Sequence, residues 1–382
     1  MTTTTVSTPQ PARAGDIDLL FLAVALLATA VIISLVLLDN QPASAALVAG
    51  GFGLGVAFLW AQFSYTASWR HFLTRGEAGG LLGGFIVIAV AAIAIVPVAA
   101  TVPKFGGAIA PLGPSLIIGA FTFGIGMQLA NGCGSGTLYT AGGGSGRMLI
   151  ALLFFIIGSV FGSLSLPAFL ALGGIDPVLA SDYFGPWGGL AVTLLSLVVA
   201  AAIVIAVARK RGGSIVPRRG MIIGGIVIGL LCIAVFAAGG HPWSVTFGYT
   251  VWGAKAATAL GFDLSHATFW TWPGPKHALE GSVLADTSSL TDLGMIFGAM
   301  AAAAASRPFA RASWPPAKSL LAAGIGGLLM GWGARLGFGC NIGAFVSGVA
   351  SGSLHGWVWF LAALPGCLIG IKLRPLFGLS KD

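Results

Sequence analysis

Charge is the scarcest property of this chain: only 8% of its 382 residues are Asp, Glu, Lys or Arg, while 57% are hydrophobic. Soluble domains carry about 25% charged residues, so a soluble globular protein is excluded. Ten apolar runs are long enough to cross a hydrocarbon core. They fall at about 17–38, 44–63, 81–100, 114–130, 148–170, 187–208, 220–240, 290–305, 319–337 and 354–372. The sequence therefore predicts an all-α polytopic membrane protein.

Cysteine is also scarce, with four residues and no Cys-x-x-Cys pair. No cluster of His and Cys has metal-ligand spacing, and no glycine string is followed by the Lys-Ser/Thr of a phosphate loop. These absences argue against a redox pair, a zinc site and ATP-driven transport, and we expect neither a metal nor a cofactor. The net charge of +8 is spread over several loops instead of forming one stripe, which argues against nucleic acid as a partner.

The placement of the cations predicts the topology. They fill the loop at 209–219, the loop holding Arg307, Arg311 and Lys318, and the C-terminal segment with Lys372, Arg374 and Lys381. By the positive-inside tendency these three regions are cytoplasmic, whereas the loop at 173–186, with Asp176 and Asp182 and no cation, is external. Threading the crossings through these anchors puts both termini in the cytoplasm. The segment at 247–262 must then dip into the membrane and return.

Glycine is abundant, with 59 residues, and it surrounds two of the cysteines. The two stretches lie 207 residues apart: Asn131-Gly132-Cys133-Gly134-Ser135-Gly136 and Phe338-Gly339-Cys340-Asn341-Ile342-Gly343. Aligning the cysteines pairs Gly119 with Gly326, Gly124 with Gly331, Gly126 with Gly333 and Gly136 with Gly343; one residue of slippage pairs Gly158 with Gly366 and Gly162 with Gly370. The chain thus presents one thiol-bearing element twice, and the threading gives the two copies opposite orientations, as in inverted-repeat transporters.

This duplication predicts the domain organisation. We expect a disordered cytoplasmic tail at 1–15, an N-terminal transmembrane helix at 16–40 that is not cleaved, a first transporter repeat at 44–208, a basic cytoplasmic loop at 209–219 and a second repeat at 220–378. Because each glycine costs about 1 kcal/mol relative to alanine in a helix, the glycines around Cys133 and Cys340 predict broken helices. Such breaks expose N–H groups and helix N-termini that attract anions.

The two matched thiols are the candidate binding groups, together with the backbone and side chains of Gly132, Gly134, Ser135, Gly136, Gly339, Asn341 and Gly343. A protonated thiol can bind a sulfur anion as a weak donor and soft acceptor, whereas a thiolate would repel it. Cys232 and Cys367 lie inside apolar helix patterns and are interpreted as packing residues.

Three further polar features leave alternatives open. The stretch from Gln62 to Phe72 ends the second crossing and contains Ser64, which either lines the path or caps a helix. The counterpart of this stretch in the second half is Trp243-Ser244-Val245-Thr246. Lys255 and Arg335 lie at membrane depth and either act on the substrate or snorkel to the interface. The run Phe269-Trp270-Thr271-Trp272-Pro273 is typical of an external aromatic belt.

These motifs resemble the YeeE/YedE family of bacterial sulfur-compound transporters. The resemblance is carried by three stretches and covers roughly residues 45–378. The stretches are Gly132-Cys133-Gly134-Ser135-Gly136-Thr137-Leu138-Tyr139, Gly333-Ala334-Arg335-Leu336-Gly337-Phe338-Gly339-Cys340-Asn341-Ile342-Gly343-Ala344 and Ser351-Gly352-Ser353-Leu354-His355-Gly356-Trp357.

The resemblance implies an hourglass-shaped inverted repeat in which thiosulfate passes between cysteine thiols at the constriction, and a small cytoplasmic sulfurtransferase as a partner. Two of the family's three pathway cysteines match Cys133 and Cys340, while this chain has Ser64 in the stretch where the third belongs. The helix at 17–38 is an addition to the family's nine crossings. We expect an inner-membrane importer of a small sulfur oxyanion, thiosulfate first, that is passive or ion-coupled and not an enzyme.

Three rival readings stay open at this point. The scaffold could carry another sulfur or selenium compound, or the protein could be a membrane enzyme that transfers sulfane sulfur through a persulfide on Cys133 or Cys340. A persulfide enzyme needs an activated thiolate near cations, and Arg335 is the obvious cation close in sequence. A structural membrane subunit would leave the matched thiols unexplained.

Overall fold

The computed structural model describes residues 17–39, 41–306 and 315–381, and within these ranges the chain is helical with no β-strand. The predicted tail at 1–15 and the loop residues Arg307 and Arg311 lie outside the described residues. The first helices are α1 (Leu19–Leu38), α2 (Pro42–Ala61), α3 (Tyr65–Arg75), α4 (Gly79–Thr101), α5 (Pro114–Ala130), α6 (Gly134–Gly142), α7 (Gly146–Leu170) and α8 (Ala180–Lys210). They are followed by α9 (Arg219–Gly239), α10 (Thr246–Ala259), α11 (Thr268–Thr271), α12 (Pro273–Glu280), α13 (Thr287–Ser306), α14 (Ala317–Leu336), α15 (Ser347–Ala350) and α16 (Leu354–Leu373). A π-helical turn, Asn341–Val346, leads into α15.

Ten segments in the described part of the chain are long and apolar enough to cross a membrane, and they coincide with the ten predicted runs. Proline at the first position of α2 and α5 sets where these helices begin, because proline there loses no helical hydrogen bond. In α8 the chain bends at Gly185, which has φ 71°, before Pro186. The part of α8 before the bend precedes the crossing that the apolar pattern predicts from residue 187. The prediction of an all-α polytopic membrane protein is confirmed.

The segment predicted to dip and return contains α10, which has 14 residues. A helix of that length spans about 21 Å, less than the roughly 30 Å of a hydrocarbon core. α11, α12 and a 3-10 turn at Val283–Ala285 then lead to α13. The length of α10 therefore agrees with a segment that enters the membrane without crossing it.

The helices after α8 repeat the order and packing of those before it. Helices α2 to α5 correspond to α9, α10, α13 and α14; α6 corresponds to the segment 341–350, and α7 to α16. Each contact between the two sets has its reciprocal: α2 packs on α13 as α9 packs on α4, and α7 packs on α14 as α16 packs on α5. Reciprocal packing is what a twofold relation between repeats requires. The bounds of the two repeats, 44–208 and 220–378, stay a prediction.

The glycines that pair in sequence occupy these reciprocal contacts. A Cβ atom on Gly124 of α5 would meet the backbone of Ala363 and Cys367 on α16, and one on Gly331 of α14 would meet the backbone of Phe155 and Ser159 on α7. A second pair behaves in the same way. A Cβ atom on Gly158 of α7 would meet the backbone of Leu328 on α14, and one on Gly366 of α16 would meet the backbone of Phe121 on α5. These glycines let helix backbones touch, as small residues do in membrane interfaces.

Three arginines hold the C-terminal end of α5. Arg147 donates to the carbonyl oxygens of Leu129, at 2.7 Å, and Ala130. Arg374 donates to the carbonyl oxygen of Gln128 at 2.6 Å, and Arg70 to Oδ1 of Asn131 at 2.8 Å. Cations at a helix C-terminus satisfy its last carbonyls and oppose its negative dipole end. They fix the point from which the chain turns into Cys133.

The predicted external aromatic belt is wrong for its first two residues. Phe269 and Trp270 are buried at 4% and 1% exposure. The Trp270 indole donates to Oγ of Ser163 on α7 at 3.2 Å, and the Phe269 ring packs under the Arg335 guanidinium at 5.6 Å. The short helix α11 folds back on the bundle and buries these two aromatic side chains. Residues of an interfacial belt would be exposed to lipid and water instead.

Candidate functional site

Cys133 and Cys340 occupy the same place in two copies of one backbone turn. Each precedes a short helical segment, with φ and ψ of −92° and −169° at Cys133 and −101° and −165° at Cys340. Two residues earlier, Asn131 and Phe338 are both left-handed, at φ 65° and 59°. The glycine density thus marks two broken helices, as the sequence predicts.

Both sulfurs act as helix N-caps. Sγ of Cys133 accepts the N–H of Gly136 at 3.4 Å and lies 3.6 Å from Oγ of Ser135, while Sγ of Cys340 accepts the N–H of Ile342 at 3.4 Å. Both side chains are buried, at 2% and 0% exposure. No residue of the described ranges forms a disulfide with either. They are therefore two free thiols held by backbone N–H groups in a shielded setting.

The two turns meet at Gly134. A Cβ on this glycine would lie 2.8 Å from Sγ of Cys340, so only glycine lets the first turn reach the second thiol. Tyr249 of α10 donates its hydroxyl to the Gly134 carbonyl at 2.9 Å and locks the contact. Two helix N-termini with their positive dipole ends thus converge beside two thiols, an arrangement suited to a small anion.

Buried polar groups without a partner surround this meeting point. Among the described residues, nothing pairs with either amide atom of Asn341, with the indole N–H of Trp243 or with the hydroxyl of Tyr65. Tyr65 lies within electrostatic range of both Cys133 and Cys340. Because a buried polar group without a partner is costly, such groups indicate a place for a polar ligand.

Trp243 and Tyr65 were not singled out by the sequence, although each lies in one of the two polar stretches matched there. The stretches do correspond: one follows α2 at the left-handed Gln62, the other follows α9 at the left-handed Gly240. Phe58 packs against Tyr139 at 5.5 Å and Trp243 at 5.8 Å. These rings form an apolar shell beside the thiols.

Two cavities lie at opposite ends of α9. The larger, about 400 Å³ and here called the Ser64 cavity, includes Gln62, Ser64, His71, Glu77, Ser214 and Arg218 in its lining. The smaller, about 30 Å³ and here called the His241 cavity, includes His241, Trp243, Ser244, Thr287, Ser288 and Thr291. Tyr139, in the helix that begins after Cys133, donates to the Phe63 carbonyl at 3.1 Å, and a Cβ on Gly343 would lie 3.4 Å from Oγ of Ser244. The turn with Cys133 therefore contacts the break between α2 and α3 at the Ser64 cavity. The turn with Cys340 contacts the break between α9 and α10 at the His241 cavity.

Ser64 fits both interpretations that the sequence leaves open. Its Oγ accepts the N–H of Ala67 at 3.2 Å and so caps α3, and its side chain also lines the Ser64 cavity. The structure places Ser64 at this cavity and not beside the sulfur atoms of Cys133 and Cys340. Its equivalent, Ser244, occupies the matching position at the His241 cavity.

Lys255 and Arg335 are engaged with the segment between α10 and α13. Nζ of Lys255 donates to the carbonyl oxygens of Leu279 at 2.8 Å and Gly281 at 2.6 Å, at the end of α12. The Arg335 guanidinium lies 5.7 Å from the Phe247 ring centroid and 5.6 Å from that of Phe269. These contacts anchor the returning segment, so the structure does not group the two cations with the thiols, and their role in the path stays a prediction.

The other two cysteines differ from each other. Cys367 is buried where α16 crosses α5, with its backbone against Gly124, as a packing residue would be. Cys232 of α9 is buried at 3% exposure and lies within electrostatic range of Tyr65, which places it closer to the thiol pair than an apolar helix pattern suggests.

Sequence comparison places these features in a family. Residues 60–369 match the sulphur transport family over most of the chain. The chain belongs to this family. Its second-half cysteine turn and its first-half cysteine turn both fall inside the matched residues, and the resemblance to YeeE/YedE proteins is confirmed.

Three relatives illustrate the range of similarity. The chain is 36% identical over 155 residues to the probable transporter YedE of Escherichia coli K12, an alignment that covers 40% of this chain and 37% of YedE. It is 29% identical over 265 residues to the thiosulfate transporter TsuA of Spirochaeta thermophila, covering 63% of this chain and 72% of TsuA. With TsuA of E. coli K12 the identity is 26% over 268 residues, covering 65% and 71%. The alignment spans under half the length of YedE and nearly three quarters of TsuA.

Proposed function

We propose that this protein imports a small sulfur oxyanion, thiosulfate first, across the bacterial cytoplasmic membrane by way of Cys133 and Cys340. One observation carries the proposal: two free, buried thiols at matched helix N-termini meet across Gly134. Membership of a sulphur transport family supports a sulfur compound as the substrate. Relatives named as thiosulfate transporters support this particular anion.

The chemistry of the site suits an ion with one soft sulfur and several hard oxygens. Neutral thiols interact with the terminal sulfur through weak S–H hydrogen bonds. The backbone N–H groups at the two helix starts, with the unpartnered amide of Asn341 and indole of Trp243, offer donors to the oxygens. Weak thiol contacts allow the ion to leave as readily as it binds, which conduction requires.

The Ser64 and His241 cavities would be the two mouths of the path. Arg218 and Ser214, from the predicted cytoplasmic loop at 209–219, line the first, which supports its assignment as the inner mouth. The His241 cavity is then the outer one. A small cytoplasmic sulfurtransferase that receives the sulfur remains a prediction from the family resemblance.

Uptake into proteoliposomes tests the function directly. Vesicles containing only this protein are expected to take up labelled thiosulfate, to release it unmodified inside, and to do so with little inhibition by excess sulfate. Sulfate matches the charge and oxygens but lacks the soft terminal sulfur. Uptake of sulfate at an equal rate would contradict the role of the thiols. Recovery of thiosulfate only as sulfite and enzyme-bound sulfur would instead favour a persulfide enzyme.

The proposed orientation gives a labelling prediction. A single cysteine at Asp182 is expected to react with an impermeant maleimide in intact cells, and one at Ser214 only after the membrane is opened. Both variants are built in a background lacking the native cysteines, and both positions are exposed. Labelling of the two sites to the same extent in intact cells would exclude the threading with both termini in the cytoplasm.

Ser64 can be tested without disturbing the cap that it provides. Asn and Asp cap helices about as well as Ser, so Ser64→Asn and Ser64→Asp should unfold at the parent temperature. If the anion passes Ser64, the aspartate will repel it: two unit charges 4 Å apart in water cost about 1 kcal/mol, and a dianion doubles this, so uptake should fall roughly tenfold or more. Ser64→Asn should stay near the parent rate. Equal uptake by both variants would remove Ser64 from the path.

A further inference from the structure

The second turn of α13 contains a carboxylate without a hydrogen-bond partner among the described residues. The side chain of Asp292 is completely buried, and neither of its oxygens has a hydrogen-bond partner among the described residues. Its Oδ2 rests against α10, 2.7 Å from the position that a Cβ on Gly248 would take. An ionised carboxylate in such surroundings is costly, whereas the neutral acid is tolerated. An acid at membrane depth is by default a functional residue.

Among the residues that the structure describes, the groups around Asp292 offer no compensating cation. α13 packs against α1, α2, α6 and α10. α1 and α2 contain no titratable side chain, and α6 contributes Tyr139 alone. The titratable groups within electrostatic range of Asp292 are Tyr249 of α10, Cys340 and, immediately before α13, Asp286. Lys255 of α10 lies within range of Asp286, with its ammonium held by two carbonyls.

Polar side chains lie between Asp292 and the N-terminal end of α13. Asp286, immediately before α13, and Ser289 and Asp292 within it are spaced three residues apart and therefore lie on one side of the helix. Oδ2 of Asp286 accepts the Ser289 N–H at 2.7 Å and its hydroxyl at 2.6 Å, and the Trp252 indole donates to that hydroxyl at 2.9 Å. Thr287, Ser288 and Thr291 of the same turns line the His241 cavity. The polar side chains therefore begin beside the outer mouth.

Asp292 also faces the site of the anion. It is within electrostatic range of Cys340 and of Tyr249, whose hydroxyl bonds to the Gly134 carbonyl beside that thiol. An anion between the thiols would be repelled by an ionised Asp292 and accepted beside a neutral one. Occupation by the anion and by a proton thus favour each other, which is reciprocal by thermodynamic linkage.

We propose that Asp292 is a proton-binding site that couples import of the anion to import of a proton. The inference rests on the proposed function and adds its energy source. A proton leaves a hydronium ion on the outer side, which becomes water, passes by way of Asp286 and Ser289, and forms an O–H bond with the Asp292 carboxylate. When the anion leaves to the inner side, the carboxyl releases its proton to that side. Each proton that enters with the anion also reduces by one unit the negative charge that must be moved against the membrane potential.

Two transport measurements on proteoliposomes test the coupling. With the membrane potential held at zero by valinomycin and equal potassium, and with the outside more acidic by one pH unit, the parent protein is expected to accumulate labelled thiosulfate about tenfold over its external concentration for one proton per anion. A protonophore should abolish this accumulation. In Asp292→Asn, exchange of external for internal thiosulfate at equal pH should remain within about threefold of the parent, while accumulation driven by the pH gradient should disappear. Asp286→Asn is the matched control: it should slow the approach to the final accumulation without changing it.

The outcomes separate the coupling from the function. Parent vesicles that exchange thiosulfate but accumulate it independently of pH, or in response to a sodium gradient, would overturn the coupling and leave the function intact. Pronounced accumulation by Asp292→Asn under the pH gradient would overturn the role of this residue. Absence of both exchange and uptake in the parent protein would overturn both. Because the parent measurements need no variant, the test stands even if Asp292→Asn does not fold.

Discussion

Replacing Cys133 or Cys340 by alanine is expected to reduce thiosulfate uptake to the level of empty vesicles, while the protein stays folded and inserted in the membrane. Each sulfur sits at the start of a short helix where the two halves meet, so the loss of either removes a soft ligand that no nearby group replaces. The structural cost is small, because a cysteine N-cap is weak and the cavity left by one sulfur atom is slight. The measurement is initial uptake at matched protein amounts.

The matched control is Cys367→Ala, which removes an equally buried thiol from the contact between α16 and α5. Its uptake should stay near that of the parent protein. Cys133→Ser and Cys340→Ser add a second comparison, because a hydroxyl keeps a hydrogen bond but lacks the polarisable sulfur. They should retain some transport with weaker preference for thiosulfate over sulfate. Full uptake by the Cys133→Ala, Cys340→Ala double variant would end the thiol path as an explanation.

The second large effect concerns assembly. Gly331→Leu and Gly124→Leu are expected to prevent recovery of folded protein, since a Cβ at Gly331 would lie 2.6 Å from the backbone nitrogen of Ser159 and one at Gly124 would lie 3.0 Å from that of Cys367. Overpacking costs about 1–3 kcal/mol where side chains yield. Here the obstacle is helix backbone, so the helices must separate. The measurement is the yield of monodisperse protein in detergent and its unfolding temperature.

Gly220→Leu on α9 is the control, because a Cβ there meets nothing within 4 Å. It should be recovered like the parent protein. Normal yield and unchanged unfolding temperature for Gly331→Leu would show that the close approach of α14 and α7 is not needed for assembly. Gly124 and Gly331 occupy reciprocal positions, and we therefore expect similar losses of folded protein from Gly124→Leu and Gly331→Leu.

The sequence predicts the long helices and the breaks well because both depend on local composition. Apolar runs mark the crossings, and the glycines around Cys133 and Cys340 mark where helical hydrogen bonding stops. Pairing of the glycines across 207 residues also anticipates which of them touch helix backbones. These properties can be read from the chain without knowing its tertiary contacts.

What the sequence did not reveal depends on contacts between distant segments. Arg70, Arg147 and Arg374 meet at the end of α5 although they lie on three separate parts of the chain. Phe269 and Trp270 have the composition of an interface belt, and only the fold of their loop shows that they are buried. Asp292 falls within a predicted crossing as a single acid, and its lack of a partner is visible only once its neighbours are placed.

The reciprocal packing has a consequence for how the protein is made. α5 and α7 find their glycine-mediated partners in α14 and α16, which leave the ribosome about two hundred residues later. Until then the inserted first half exposes bare glycine surfaces and a single thiol-bearing turn to lipid. At this stage α5 and α7 lack their main partners α14 and α16, so it is the stage at which membrane chaperones and proteases would act. A chain cut in the loop at 209–219 and produced as two fragments would rebuild the transporter only if both fragments were inserted together.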